Sequence, residues 1–258
     1  MQLFAEALTL PKAGSTDLEY EDAYWPRHPV EGETCSRFAV ADGATETSFS
    51  NIWAKQLARA YCAGYFDKLP DSEWLSKLRR KWWSIVRSKP LPWYAEEKLA
   101  SGTFAAIVGL TLNWDSTESE HGTWHAEAIG DSCLFQLRGT KLVTKFPVQA
   151  SQDFTNSPLL LSSRAGNDSE ITAVVSIRGE WQSGDHFYLM TDALAAWFLS
   201  GIEHDEAPWE IVRDLDSESE RPIVPRSGMK SFREWVERTR RDGLMRNDDV
   251  TLYRIEIV

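Results

Sequence analysis

Cysteine is scarce and unpatterned. Cys35, Cys62 and Cys133 are far apart, odd in number and without Cys-x-x-Cys spacing, so neither a disulfide framework nor a zinc knuckle is indicated and a reducing cytoplasm is the expected setting. Long apolar runs are missing too. The longest, Phe104 to Leu112, falls well short of the ~20 residues of a membrane span. The opening Met-Gln-Leu-Phe-Ala-Glu has no basic region ahead of an apolar stretch, so neither an export signal nor a membrane anchor is expected. No Ser–His–Asp or Cys–His set stands out, and no glycine-rich phosphate loop precedes a helix. Positive charge is in deficit: 28 Lys and Arg face 39 Asp and Glu, a formal charge of −11 on 258 residues, which speaks against a nucleic-acid partner. What is present is ordinary globular material, 42% hydrophobic and 26% charged, enough to exclude disorder and to bury a core without disulfides. No repeat or long Pro, Gly or Ser linker divides the chain, so one domain over 1–258 and a monomer are expected, with the polar stretch 217–228 as a surface loop or flap.

Periodicity places the elements. Arg37 to Ala41 reads as an apolar strand, and Asn51 to Phe66 as a helix with Trp53, Leu57 and Tyr61 on one stripe beside Ala54, Ala58 and Cys62. A second helix, Ser72 to Val86, is basic outside, with its tryptophans expected against a sheet. Pro90 and Pro92 end it before a short helical piece around Tyr94 to Leu99. Strands are then expected at Thr103–Leu112, Thr123–Ile129, Cys133–Leu137, Lys141–Lys145, Ile171–Ile177 and His186–Met190, with Arg138-Gly139 turning a hairpin. Helical spacing returns at Leu194–Ile202, Pro208–Leu215 and Phe232–Arg241, and the last strand is Val250–Ile257, apolar on both faces. Strand runs segregated from helices point to an α+β fold of two packed sheets covered by helices.

Carboxylates recur where strands end or begin. Asp42, Asp131, Asp192 and Asp248 each occupy such a position, and Glu21-Asp22 precede the first expected strand. Each alone reads as a turn former bonding nearby backbone. Together they offer the oxygen donors that Mg²⁺ and Mn²⁺ prefer, with little imidazole or thiolate to compete. The ordered set Glu21-Asp22, Val40-Ala41-Asp42-Gly43, Ser101-Gly102-Thr103, Gly130-Asp131-Ser132, Thr191-Asp192 and Asp248-Asp249-Val250-Thr251 resembles the metal-dependent protein phosphatase 2C family of Ser/Thr phosphatases. The resemblance runs from Glu21 to Thr251.

That resemblance implies an αββα sandwich with a binuclear Mg²⁺ or Mn²⁺ centre, and hydrolysis of phosphoserine or phosphothreonine on a protein by a water bridging the two cations. Asp42 would bridge both ions, Asp192 and Asp248 would bind one, and the Gly43 carbonyl the other. Glu21 and Asp22 would ligate or hold coordinated waters, Asp131 would help bind a weak third metal, and Thr103 and Thr251 would support the ligands. Members often carry an Arg four residues before the Glu of the first motif to grip the phosphate; Asp17 stands there in this chain. Either Lys12, Arg27 or Arg37 replaces it, or the phosphate is held by the metals alone. Ala44 stands where some members have a His that serves as general acid, Ala193 where Gly usually follows the metal-binding Asp, and Asp249 in place of Asn. A phosphatase-like regulatory or phosphoprotein-binding module without activity, and a phosphatase of small metabolites, are the alternative readings.

Two other features compete. His121 and His125 lie four apart, but Gly122 and the strand pattern indicate a hairpin rather than a zinc pair. Lys77, Arg79, Arg80, Lys81, Arg87 and Lys89 around Trp82 and Trp83 suggest a nucleic-acid face superficially; a solvated basic helix face over buried tryptophans is the plainer reading.

Overall fold

Strand pairing between the two ends of the chain organises one half of the molecule. In this computed structural model, which describes residues 2–26, 34–45, 49–69, 73–88, 102–116, 118–155, 157–164, 172–216 and 230–258, β1 (Leu3–Leu10) runs antiparallel to β13 (Val250–Ile257) from Leu3↔Ile257 to Leu10↔Val250. The other edge of β13 takes β10 (Asp185–Met190), which pairs in turn with β6 (Cys133–Arg138), and β6 with β7 (Lys141–Phe146). A second antiparallel sheet has the order β2 (Ala23–Trp25), β3 (Cys35–Gly43), β4 (Phe104–Asn113), β5 (His121–Ile129) and β9 (Val175–Gln182), with β8 (Leu161–Ser162) on the start of β4. The two-residue strands β11 (Leu215–Asp216) and β12 (Lys230–Ser231) form a separate parallel pair.

The layers follow from side-chain alternation along the strands. On β3, Phe38 and Val40 face the other sheet and join Val108, Leu110, Phe187, Leu189, Tyr253 and Ile255 in the inter-sheet core. Ala39 and Ala41 point the other way, and these small residues let α1 (Ser50–Cys62) lie close with Trp53, Leu57 and Tyr61. α2 (Glu73–Arg87) adds Trp74, Leu75 and Trp82 to that outer core. On the first sheet, Phe135, Tyr188, Met190 and Leu252 are covered by α3 (Asp192–Glu203), α4 (Pro208–Arg213) and α5 (Phe232–Arg241), through Phe198, Leu199, Val212, Trp235 and Val236. The result is the expected four-layer αββα sandwich.

Several expectations need correction. The first helix stops at Cys62 rather than Phe66, because Gly64 adopts φ 75° and its N–H returns to the Tyr61 carbonyl at 2.9 Å. Phe66–Lys68 then forms a separate 3₁₀ turn. The strand read from Ile171 begins instead at Val175 and continues to Gln182, while β1 and β2 were not expected at all. On α2, Trp83 is 42% exposed whereas Trp82 is buried, since consecutive helical residues point about 100° apart and cannot share one face. Arg79, three residues before Trp82, is on the buried face, where its Nε donates to the Ser162 carbonyl at 3.1 Å. It therefore does not belong to a solvated basic face. The short helix around Tyr94–Leu99 and the loop 217–228 lie outside the described residues. Among the described residues, no helix is long and apolar enough to cross a membrane.

Candidate functional site

Pairing register brings the strand-end carboxylates together. Leu10 is opposite Val250, Met190 opposite Leu252 and Cys133, and Asp42 opposite Ala106, so the end of β1, the start of β13, the end of β10, the start of β6 and the end of β3 share one edge of the sandwich. Asp22 precedes β2, Asp131 sits in the β5–β6 turn, Asp192 opens α3, and Asp248-Asp249 lead into β13. Asp22, Asp131 and Asp249 are buried, and the Asp192 side chain is only 14% exposed.

Hydrogen bonding divides these acids into held and unheld groups. Asp249 accepts the Lys12 N–H at 2.7 Å and the Glu21 N–H at 2.6 Å, one on each oxygen, so it ties two loops together and its replacement of Asn supplies a second acceptor. Glu21 accepts Lys12 Nζ at 2.9 Å and Ser50 Oγ at 2.7 Å. Asp22 Oδ2 accepts from Thr251 Oγ1 at 2.8 Å, and Tyr20 donates its phenol proton to that same hydroxyl. Thr251 thus braces the Asp22 carboxylate, and its own N–H is bound by Thr191 Oγ1 at 2.9 Å. By contrast Asp22 Oδ1 and Asp192 Oδ1 are buried with no partner among the described residues. Asp42 accepts no hydrogen bond among the described residues, and Asp192 Oδ2 is met by Arg246 Nη2 at 2.6 Å.

Crowding of acids at this edge shifts their protonation upward. Burial, reinforced by Asp22, Asp192, Asp131 and Asp248, holds the Asp42 carboxyl well above the usual carboxylate range. Asp22 is raised by burial and Asp249, with the Thr251 and Thr191 hydroxyls pulling back. Burial and then Asp192 push Asp131 up to about 7, and burial raises Asp192 against the relief that Arg246 gives. Each site acid is costly because its neighbours are acids too.

The flanking residues fill in the rest. A Cβ on Gly43 would meet the Glu21 carbonyl at 2.7 Å and Ser50 Cβ at 2.8 Å, so only glycine lets β3 approach the Glu21 loop so closely. Thr103 is buried, and its N–H donates to Ser163 Oγ at 2.9 Å. Lys12 lies at the acidic edge, its ammonium also 3.3 Å from Thr45 Oγ1. Arg37 does not join it: its Nη2 pairs with Asp67 at 2.6 Å beside Gly64. Arg27 lies outside the described residues. Arg246 and Tyr20 escaped the motif reading. The position of Arg246 two residues before Asp248 is the one signal in the sequence that points to it.

The profile of protein phosphatase 2C matches residues 15–245. The chain belongs to the protein phosphatase 2C family. Solved structures agree on the fold of this phosphatase 2C chain. It is similar to the catalytic domain of the serine/threonine protein phosphatase PstP in complex with two manganese ions (17% identity, 99% of this chain, 98% of that one, TM-score 0.54). It is similar also to PppA, a regulatory component of T6SS in Pseudomonas aeruginosa (16%, 100% and 99%, TM-score 0.54), and to the photosystem II phosphatase PBCP (15%, 100% and 99%, TM-score 0.53). No protein of curated function matches the sequence.

The donor chemistry at this phosphatase 2C edge fits hard divalent cations, because every unheld acid offers oxygen and two buried carboxylate oxygens lack any partner among the described residues. The geometry is not pre-closed: among the described residues, no three His, Cys, Asp or Glu side chains form a group able to hold a metal ion as they stand. Arg246 occupies one oxygen of Asp192.

Proposed function

We propose that the chain hydrolyses phosphoserine or phosphothreonine on protein substrates, with Mn²⁺ or Mg²⁺ as the divalent cations. The observation that carries this reading is the group Asp22, Asp42, Asp131 and Asp192, brought together buried or half-buried and raised by burial and by neighbouring acids. A fold does not keep such a group for stability, because its members lose hydration and gain too few donors to replace it: one oxygen each of Asp22 and Asp192 is buried with no partner among the described residues. Divalent cations would resolve the repulsion, and the two manganese ions in the related PstP structure support that choice.

In this reading Asp42, Asp192 and Asp248 hold the cations, with the Gly43 carbonyl, Glu21 and Asp22 completing the shell directly or through waters, and Asp131 serving a weak third ion. When bound, the cations supply an activated water and charge stabilisation for the phosphoryl group. The chain's own residues do the rest. Tyr20 and Thr251 fix the Asp22 carboxylate in one orientation, and Asp249 locks the Lys12 and Glu21 loops against β13. Ser50 and Lys12 orient Glu21. Ala44 offers no proton, so the leaving oxygen is protonated by water and the rate depends steeply on leaving-group pKa.

Release of phosphate from a phosphothreonine peptide, with EDTA, Mg²⁺ or Mn²⁺ and beside Asp42→Asn and Asp192→Asn, tests the proposal. Metal-dependent turnover lost in both variants is expected. A second reading, a phosphoprotein-binding module without turnover, draws support from the Arg246–Asp192 ion pair and from Asp17 in the phosphate-gripping position. Absence of turnover on peptide and aryl phosphate alike, in folded and metal-loaded protein, selects it.

A further inference from the structure

A cleft of 380 Å³ opens beside the acidic edge, between the loop that follows β1 and one face of α5. Its walls carry Lys12, Arg233, Arg240 and Arg241 against Asp17 and Glu237, a local excess of positive charge on a chain of formal charge −11. Lys12 belongs to both places: its ammonium touches Glu21, its backbone N–H is bound by Asp249, and its side chain lines the cleft. Arg240 forms the other shared wall. Nη1 donates to the Pro11 carbonyl at 3.0 Å and Nη2 to the Asp248 carbonyl, so the guanidinium staples the two loops that frame the carboxylates. Both acceptors are neutral carbonyls. Burial lowers the Arg240 pKa from its usual value, with Asp249 and Asp248 opposing, and its Nε is buried without a partner among the described residues.

Helix electrostatics explain only part of this pattern. Arg240 and Arg241 fall in the last turn of α5, where a cation complements the negative end of the dipole. Arg233 lies in the first turn, where that term disfavours it, and Lys12 comes from a different element. Arg241 is exposed and makes no ion pair among the described residues. Position 17, where the family resemblance leads one to expect a phosphate-gripping Arg, opens onto this cleft, so its missing positive charge is surrounded by four other cations.

We infer that the cleft is an anion subsite for the substrate chain: it takes an acidic group, a carboxylate or a second phosphate, carried near the phosphoresidue that is hydrolysed. The inference rests on the proposed phosphatase reading and narrows its substrates to acidic or multiply phosphorylated segments. Such recognition acts through charge in a partly exposed cleft, so it weakens as salt rises.

The test compares four phosphothreonine peptides of one sequence, with Mn²⁺-loaded full-length protein. One has neutral flanks, one glutamates, one a second phosphoserine and one lysines. Preference for either acidic peptide over the neutral one by about tenfold in kcat/KM, carried by KM, is expected. Arg241→Gln and Arg233→Gln should each shrink that ratio severalfold, while the neutral-to-lysine comparison moves much less. The glutamate and phosphoserine arms tell carboxylate from phosphate recognition, and preference in either sustains the inference. Equal kcat/KM across all four peptides, or a preference that survives both substitutions, overturns it. A separate readout guards against failure of the phosphatase reading itself. Fluorescence anisotropy of a labelled doubly phosphorylated peptide on metal-free protein should show binding that Arg241→Gln weakens; if even this is absent, the cleft is not an anion subsite.

Discussion

The two ends of β10 bury carboxylates in opposite ways. At its start, Asp185 is fully buried, yet every oxygen is occupied: Arg138 Nε reaches Oδ1 at 2.8 Å, and Oδ2 receives Arg138 Nη2 at 2.8 Å, Gln136 Nε2 at 2.9 Å and the Gln182 N–H at 3.1 Å. Past its other end, Asp192 leaves Oδ1 without a partner among the described residues and faces Asp131, Asp248 and Asp22. The first arrangement stabilises the fold through a bidentate, charge-assisted pair. The second destabilises it and keeps oxygen lone pairs available. Burial alone therefore does not tell these two acids apart; an oxygen left without a donor among the described residues does.

The contrast is sharpest in activity. Asp42→Asn and Asp192→Asn should each lower metal-dependent phosphate release by about a thousandfold, beyond the ten- to hundredfold of a supporting residue. Asp42→Asn should also raise the melting temperature of metal-free protein, because a buried charge among acids becomes neutral. A fall there would break the contrast.

Next in size is Asp185→Asn. It leaves the half-exposed Arg138 guanidinium facing a neutral amide and should cost about 2 kcal/mol in denaturant unfolding through weakened charge-assisted hydrogen bonds. Activity per folded molecule should stay near that of the parent, since this acid is at the far end of the strand. A variant as stable as the parent would show that the pair at Asp185 is no better compensated than the site.

The pH dependence comes third. Carboxyls whose folded pKa is raised favour the fold while protonated, so their contribution is fully present below the unfolded value and disappears as pH climbs through the folded one. For Asp131 that window runs from 3.8 to about 7, and Asp22, Asp42 and Asp192 shift in the same direction. Metal-free protein should thus lose melting temperature from about pH 4 to about pH 7, and Mn²⁺ should restore more of it at the upper end. A metal-free stability that rises over this range would contradict the uncompensated cluster.

The smallest effect concerns Arg246. Its 46% exposed side chain holds one oxygen of Asp192, and an exposed pair of this kind is worth about 1 kcal/mol at most. Arg246→Ala should tighten Mn²⁺ binding severalfold in calorimetric titration of the otherwise unaltered chain. Unchanged or weaker binding would mean that Arg246 does not compete for Asp192.

How legible all this was depends on the range of the interactions involved. α5 was readable to the residue because a strong apolar stripe, Phe232, Trp235, Val236 and Thr239, follows the cap Ser231, whose Oγ accepts the Glu234 N–H at 3.4 Å. β13 was equally plain, being apolar on both faces between two layers. β1 gave no such signal. It is an edge strand, half-exposed along most of its length, and its only reason to be straight is a partner at the opposite terminus of the chain. Among the site residues, the acids were visible because they punctuate strands in a fixed order, whereas Tyr20 and Arg246 act through partners 231 and 54 positions away.

The amino-acid sequence by itself determined the period of each long element, the layers those elements would form and the order of the oxygen donors along the chain, since all are local in origin. The tertiary structure alone decided which donors remain unpaired. Asp185 and Asp192 are the same residue type at two ends of one strand, and nothing near either in the chain says that Arg138 and Gln136 will saturate the first while acids from three other segments crowd the second. That distinction arises from register across the sheets, where burial removes water and only the neighbours brought in by folding can replace it.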